Sequence, residues 1–333
     1  MKFVNLATFR VSTADLDYTG TGLVRPECVL ATAQGSLFTS HWQGGVSRIA
    51  PDGSVTHIGV LQNEVPHEGT LRPNGIALRP DGSFLLAHLG DTAGGVYHLT
   101  RRGILRPFLL EVNGAALHPT NFVMMDGQGR VWITVSTTRI PRKDAYRPDV
   151  DDGYIVLLDK NRARIVARGI GFANECRIDP TGEWLYVNET FARRLVRFPL
   201  AANGSLGPRD VVAEFGHGTY PDGLEFDVEG GAWITSIVSN RVIRVDREGR
   251  QQVVLEEAHA DYLEAMEQDY LAGRLDFRNE EGRPPTVLRN LSSLAFGGAN
   301  LRRAYLGSLQ GDRVPFFDAP VAGHPPPHWE WGW

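Results

Sequence analysis

Six residues with oxygen-bearing or amide side chains stand immediately before short apolar runs. Glu27 precedes Cys28-Val29-Leu30, Asn74 precedes Gly75-Ile76-Ala77-Leu78, and Asn121 precedes Phe122-Val123-Met124. Asn174 precedes Glu175-Cys176-Arg177-Ile178, Asp222 precedes Gly223-Leu224-Glu225-Phe226, and Ser292 precedes Ser293-Leu294-Ala295-Phe296. If these positions are equivalent in a closed ring of repeats, they converge on one axis. Glu27, Asn121, Asn174 and Asp222 then contribute two carboxylates and two carboxamides to a single cage. Such a cage suits a hard cation, since Ca²⁺ takes about 6–8 oxygen ligands at ~2.3–2.6 Å. The lack of Cys or His among the six argues against a zinc cage but leaves Mn²⁺ and Mg²⁺ open. Taken singly, Asn, Asp or Ser before a strand is more often a turn residue bonded to its own backbone. The shared register of all six, and the cost of crowding two carboxylates without a cation, favour the cage.

The elements that would position these side chains repeat. Each polar residue is followed by a strand, a turn, a second strand rich in β-branched and aromatic residues, a loop and a third strand. Ser83-Phe84-Leu85-Leu86-Ala87 with Gly95-Val96-Tyr97-His98-Leu99 and Ala232-Trp233-Ile234-Thr235-Ser236 with Arg241-Val242-Ile243-Arg244-Val245 are two clear cases. The first turns carry Gly35, Gly82, Gly129, Gly182 and Gly230, spaced 47, 47, 53 and 48 residues apart, and tight hairpins require such glycines. A period of ~40–50 residues with several strands per repeat is the signature of propeller blades. The expected fold is therefore all-β, a six-bladed β-propeller forming one domain over residues 1–333. One insertion, about 255–285, interrupts the pattern before the last blade. There Leu255, Tyr262, Leu263, Met266 and Tyr270 share one side at helical spacing, with Gly273 as terminator. An amphipathic helix docked on the ring is expected, a lid over the site being the weaker reading. The N-terminal strand around Phe3 to Phe9 is expected to close the last blade. The tail, residues 325–333, holds three of the seven tryptophans and reads as an edge strand or a partner surface.

Bulk properties narrow the class. Apolar content of 42%, charged content of 22% and a net charge of −5 describe an ordinary soluble globular protein and exclude the basic stripe of a nucleic-acid surface. The N-terminus is too polar for a secretory signal, and no stretch reaches the ~20 apolar residues of a membrane span. Cys28 and Cys176 both fall inside inner strands, as small buried hydrophobes in a reducing cytoplasm. The expectations are a cytoplasmic protein with a small-molecule substrate and no nucleic-acid or membrane partner.

The segments Arg25-Pro26-Glu27-Cys28-Val29-Leu30, Pro73-Asn74-Gly75-Ile76-Ala77, Asn174-Glu175-Cys176-Arg177-Ile178-Asp179 and Tyr220-Pro221-Asp222-Gly223-Leu224 resemble the SMP-30/gluconolactonase/luciferin-regenerating-enzyme family. The resemblance runs from about residue 23 to 318, with four motifs in order at blade spacing. It implies a six-bladed propeller with one divalent cation in the channel, commonly Ca²⁺ or Zn²⁺, and in many members lactone hydrolysis. Carried over by position, Glu27, Asn174 and Asp222 match the metal ligands. Asn121 matches a position that is a ligand in some members and contacts substrate in others. Asp222 also matches the proposed catalytic base or nucleophile. Organophosphate-hydrolysing propellers are similar in setting Glu, Asn, Asn and Asp around calcium. One departure is Pro119, where sugar-lactone-hydrolysing members carry an arginine two residues before the Asn121 position, so an aldonolactone substrate is not implied.

The functional expectation is a divalent-metal-dependent hydrolase, a lactonase or carboxylic-ester hydrolase, that polarises a carbonyl and uses Asp222 to activate water. The cation is expected to be Ca²⁺, with Zn²⁺, Mn²⁺ or Mg²⁺ as alternatives. Loops joining second to third strands should rim the mouth, placing His41, Trp42, His88, Ser136 and Arg139 with Asn74, Asn121 and Ser292 as substrate contacts. The loop from Ser136 to Gly153 also carries Arg142, Lys143, Tyr146 and Arg147. His118, three residues before Asn121, is a proton-shuttle candidate. The alternatives are an organophosphate-hydrolysing propeller of the phosphotriesterase kind and a non-catalytic metal-binding propeller.

Overall fold

The computed structural model describes residues 6–61, 64–65, 69–277 and 282–333. Six four-stranded antiparallel sheets form the blades of a propeller, joined by two small two-stranded ribbons. Blade three shows the plan: an inner strand Thr120–Met125 pairs with Val131–Val135, then Gly153–Asp159, then Arg162–Ile170. The inner strands of the other blades are Val29–Ala31, Pro73–Leu78, Ala173–Ile178, Thr219–Phe226 and Leu291–Gly297. Second strands such as Leu37–His41, Phe84–His88 and Ala232–Val238 are buried along their whole length, since both faces of a middle strand pack on neighbouring blades. This explains their runs of apolar residues in place of alternation.

Two blades share a buried device. In blade three, Asp126 accepts hydrogen bonds from Trp132 Nε1 at 2.8 Å and Arg130 Nε at 2.6 Å. In blade five, Asp227 accepts from Trp233 Nε1 at 2.8 Å and Arg244 Nε at 2.7 Å. Each carboxylate pins the turn after an inner strand to the second strand, and it is fully partnered, as burial demands.

Ring closure differs from expectation. The fourth strand of blade six is Asp17–Thr19, paired antiparallel to Val314–Asp318, and not a strand around Phe3 to Phe9. Residues 3–5 lie outside the described residues, Leu6–Thr8 form a 3₁₀ turn, and Phe9 packs on Phe317 with ring centroids 6.3 Å apart. Phe9 and Val11 join the apolar cluster shared by blades five and six, so their hydrophobicity seals the seam between blades. The tail is no edge strand either: Trp333 packs on Phe38 and donates to Gly82 O, against blades one and two, while Trp329 packs on the apolar cluster of blades one and six.

Among the described residues the insertion holds one helix, α1, Ala260–Leu271. Leu255 belongs instead to the outer strand Gln251–Glu256 of blade five. Gly273, at φ +67°, ends α1: its N–H bonds Tyr270 O at 3.0 Å, and Arg274 N bonds Asp269 O at 2.8 Å. This is a Schellman cap on a glycine in the left-handed region. Among the described residues, no helix is long and apolar enough to cross a membrane.

Candidate active site

The inner strands do more than alternate. Their pairing with the second strands shifts register between Pro73 and Ile76, Thr120 and Phe122, Ala173 and Cys176, Pro221 and Leu224, and Leu291 and Ser293. Asn74, Asn121, Asn174, Asp222 and Ser292 each sit within one of these irregularities. A β-bulge re-aims a side chain that regular alternation would place elsewhere, so five of the six positions in the sequence register are bulges, while Glu27 stands just before the regularly paired strand Val29–Ala31. Two of them are followed by glycine for a steric reason. A Cβ on Gly75 would sit 2.7 Å from Phe122 Cα, and one on Gly223 would sit 2.5 Å from Ser293 Cα. Neighbouring inner strands approach too closely for any side chain there.

Glu27, Asn74, Asn121, Asn174 and Asp222 line one cavity of about 330 Å³ together with Arg25, Arg142 and Thr190. All five are buried. Asn74 organises one side: its Nδ2 donates to Glu27 Oε1 at 2.7 Å and to Asn121 Oδ1 at 2.6 Å, while its Oδ1 accepts from Arg25 at 2.9 Å. Across the cavity, Asn174 Nδ2 donates to Thr190 Oγ1 at 2.9 Å, and Thr190 donates to Pro221 O at 2.8 Å. Asn188 Nδ2 donates to the carbonyls of Asp222 at 3.0 Å and Gly223 at 2.9 Å, which fixes the backbone that carries Asp222.

Burial and like charge dominate the electrostatics. The Asp222 carboxyl is pushed well above the usual carboxylate range, first by burial and then by the charges of Glu27 and Glu175; Arg25 and an Asn174 hydrogen bond oppose the shift. Below it, burial pushes Glu175 up to about 8 against the pull of Arg177. Arg177 lies 3.1 Å from Glu175 and 3.0 Å from Glu225, forming a buried ionic layer under the cavity.

These residues fit a hard cation. Two carboxylates face one small cavity, and Asn174 Oδ1 is buried there without a hydrogen-bond partner, an arrangement that a bound ion would relieve. Among the described residues no three His, Cys, Asp or Glu side chains cluster as a metal site. A cation at this place would therefore draw on amide oxygens to complete its shell, a pattern suited to Ca²⁺ more than to Zn²⁺.

Other expected contacts fall outside the cavity wall. Ser292 Oγ donates to the Glu27 carbonyl at 2.8 Å, so it braces the backbone of Glu27. His41 packs on His57 with ring centroids 4.8 Å apart and accepts from Gln43 N. His88 Nδ1 accepts from Arg72 N at 3.1 Å. Trp42 lies behind the wall, under the Arg25 guanidinium at 4.0 Å. Ser136 donates to Ala173 O at 2.9 Å and accepts from Arg142 at 3.0 Å. Arg139 is exposed; Arg142, three residues on, lines the cavity in its place. His118 faces Tyr154, away from the site.

The sequence reading named Tyr146 on a mouth loop but missed the rest of the aromatic cap. Tyr146, Phe172, Phe191 and Phe277 line the same cavity, with Tyr146 4.6 Å from Phe191 and 4.9 Å from Phe277 between ring centroids. Phe277 comes from the insertion, whose helix α1 is tied down by Tyr270, donating to Phe191 O at 2.6 Å, and by Glu267, paired with Arg193 at 2.6 Å. The docked-helix expectation holds, and the docking face is the mouth of the site.

The family model SMP-30/Gluconolactonase/LRE-like region matches residues 73–259. The chain belongs to this family. Over 287 residues it is 29% identical to a 6-deoxy-6-sulfogluconolactonase of Pseudomonas putida, covering 84% of this chain and 81% of that one. Among solved structures, a calcium-binding protein, regucalcin, from Agrobacterium tumefaciens superposes with a TM-score of 0.67 at 18% identity, over 98% of this chain and 100% of that one. A gluconolactonase from Xanthomonas campestris gives 0.64 at 17% identity, over 91% and 88%. At these identities the structural likeness establishes the propeller fold alone, and the site chemistry rests on the residues above.

Proposed function

We propose that this protein is a lactonase whose activity depends on a divalent cation, Ca²⁺ foremost, held by Glu27, Asn174 and Asp222 with Asn121 beside them. Family membership and the sulfogluconolactonase relative support a lactonase-like enzyme acting on a small molecule. The observation that carries the cation dependence is the convergence of Glu27, Asp222 and the unpartnered Asn174 oxygen in one buried cavity. A bound cation would supply Lewis-acid polarisation of the lactone carbonyl.

The remaining chemistry belongs to the chain. Asp222, fixed from behind by Asn188, is placed to take the proton of the attacking water, or to attack the carbonyl itself in a covalent variant. Asn74 holds Glu27 and Asn121 in register and is a positioning residue. The aromatic cap excludes bulk water and packs on the apolar face of a ring-shaped substrate. The relative's name makes sugar-acid lactones the first substrates to test despite Pro119. A cytoplasmic setting is part of the same proposal, supported by two buried thiols outside any disulfide.

The test is acid release from a panel of lactones by the chelated protein, with Ca²⁺, Zn²⁺, Mn²⁺ or Mg²⁺ then restored. Turnover that vanishes on chelation and returns with one ion is expected. Equal turnover with and without chelator would remove the cation, and no turnover across the panel would remove the lactonase.

A further inference from the structure

We infer that the substrate of this site is an apolar lactone, one whose ring carries hydrocarbon in place of hydroxyl groups, and that Phe277 selects for it. The inference rests on the lactonase reading and narrows it. Apart from Glu27, Asn121, Asn174 and Asp222, assigned above to the cation, the cavity wall is of two kinds. Arg25, Asn74, Arg142 and Thr190 are polar, and their hydrogen bonds run within the protein. Arg25 donates to Asn74 Oδ1 at 2.9 Å, Asn74 to Glu27 Oε1 at 2.7 Å, Arg142 to Ser136 Oγ at 3.0 Å and Thr190 to Pro221 O at 2.8 Å. Each guanidinium also stacks on a ring, Arg25 on Trp42 at 4.0 Å and Arg142 on Phe172 at 5.0 Å. These groups brace the wall and one another.

The second kind is hydrocarbon. Leu89, Phe172, Phe191, Ile237 and Phe277 line the cavity and are buried, and the hydroxyl of Tyr146 is the one polar side-chain group among its remaining described residues. Tyr146 lies 4.6 Å from Phe191 and 4.9 Å from Phe277 between ring centroids, so Phe277, supplied by the insertion, completes an aromatic stack begun by the blades. Backbone conformation adds a separate argument. Phe172 holds its ring on the wall at φ +68°, in the left-handed region that a non-glycine residue keeps only where the surroundings impose it. Such a wall favours every hydrocarbon group it receives. A sugar lactone would instead bury several hydroxyls beside rings that offer no hydrogen bond, which is unfavourable for each of them.

The experiment compares three lactones with the same six-membered ring: glucono-δ-lactone, unsubstituted δ-valerolactone and δ-octalactone, which carries a propyl group. Each kcat/KM is divided by the rate of spontaneous hydrolysis, so that intrinsic reactivity cancels. Wild type is expected to favour δ-octalactone over glucono-δ-lactone by about a hundredfold, with δ-valerolactone between them, following the discrimination of apolar pockets for methylenes and against hydroxyls. Phe277→Ala should cut that ratio about tenfold or more, and Phe277→Leu should keep most of it. Thermal melting controls for folding, and a change that merely loosens the fold lowers both rates and leaves the ratio alone. A preference for glucono-δ-lactone in wild type, or a ratio unmoved by Phe277→Ala, overturns the inference while leaving the lactonase standing. If no lactone turns over, the intact lactones serve as ligands in calorimetry with the Ca²⁺-loaded protein. Tighter binding of δ-octalactone, weakened in Phe277→Ala, upholds the apolar site, and equal or absent binding overturns it.

Discussion

The channel has two ends, and they are built on opposite principles. At one end a cavity of about 330 Å³ gathers Glu27, Asp222 and three asparagines under an aromatic cap. At the other a larger cavity of about 650 Å³ is walled by Leu30, Ile76, Phe122, Met124 and Phe226 and covered by Pro326, Pro327 and His328 of the tail. Apolarity, a usual guide to a ligand site, points to the second end, whereas the carboxylates and carboxamides gather at the first. The difference is local backbone: the five bulges occur where the inner strands begin, and beyond them regular pairing resumes. Irregularity aims polar groups inward at one end, and regular strands fill the other with hydrocarbon. Between them lies the ionic layer of Glu175, Arg177 and Glu225, in which one guanidinium is shared by two carboxyl groups.

This contrast breaks most sharply at Asp222. Asp222→Asn should reduce kcat by about 10²–10⁴-fold, the range of a lost proton acceptor, with the melting temperature unchanged or raised because a crowded carboxylate is gone. Near-normal turnover in the cation-loaded variant would end the base assignment. Glu27→Gln should come next. Without divalent cations it should melt above wild type, since the repulsion between Glu27 and Asp222 is relieved. With Ca²⁺ the order should invert, and the ion-induced rise in melting temperature should shrink, reflecting an affinity about tenfold or more lower. A wild type indifferent to Ca²⁺ in calorimetry would place the two carboxylates together for some other reason.

Much of this was legible in the residues. The glycine turns and β-branched second strands announce blades because each blade must solve the same packing problem, and the polar residues stand out because the same bulge recurs at the same point. What the sequence hides is long-range. Nothing local distinguishes Asp17–Thr19 from Phe9 as the strand that pairs with Val314–Asp318; closure is decided by which segment is extended and which covers a seam. Arg139 and Arg142 look alike on a charged loop, until the 3₁₀ turn Arg142–Ala145 sets Arg142 over Phe172. Ser292 shares the register of the other five, yet a hydroxyl is short enough to bond the neighbouring carbonyl of Glu27. Phe277 could not be assigned to the site by any periodicity, since only the docking of α1 carries it there.

The opposite end should respond in stability and not in chemistry. Trp333 Nε1 donates to Gly82 O at 2.9 Å, its ring lies 5.6 Å from Phe38, and Arg48 and Arg101 sit over it at 4.8 and 4.7 Å. Trp333→Ala should cost about 2–3 kcal/mol, combining lost burial, cation–π contacts and one hydrogen bond. Turnover measured well below the lowered melting temperature should stay close to wild type. A fall in kcat comparable to that of Asp222→Asn would mean that the two ends are coupled, and the contrast drawn above would fail.

The smallest effect expected is acid sensitivity of that same end. His328 is partly buried with Nε2 shielded from solvent. Burial, reinforced by the Arg177 guanidinium, pulls its pKa down to about 3 from the ordinary 6.5. A histidine that binds its proton less readily when folded stabilises the fold fully above pH ~6.5, and that contribution is lost as pH falls toward the folded value, because the unfolded chain then takes up the proton first. Between pH 7 and pH 4 wild type should therefore lose on the order of 1–2 kcal/mol more than His328→Leu, a figure below the full shift because the residue is partly solvated. The control is the difference between the two proteins, since other groups titrate in both. Chemical denaturation at several pH values measures it: a gap that moves in favour of the variant as pH drops supports the assignment, and a gap constant across the range removes His328 as the acid-sensitive group of the tail.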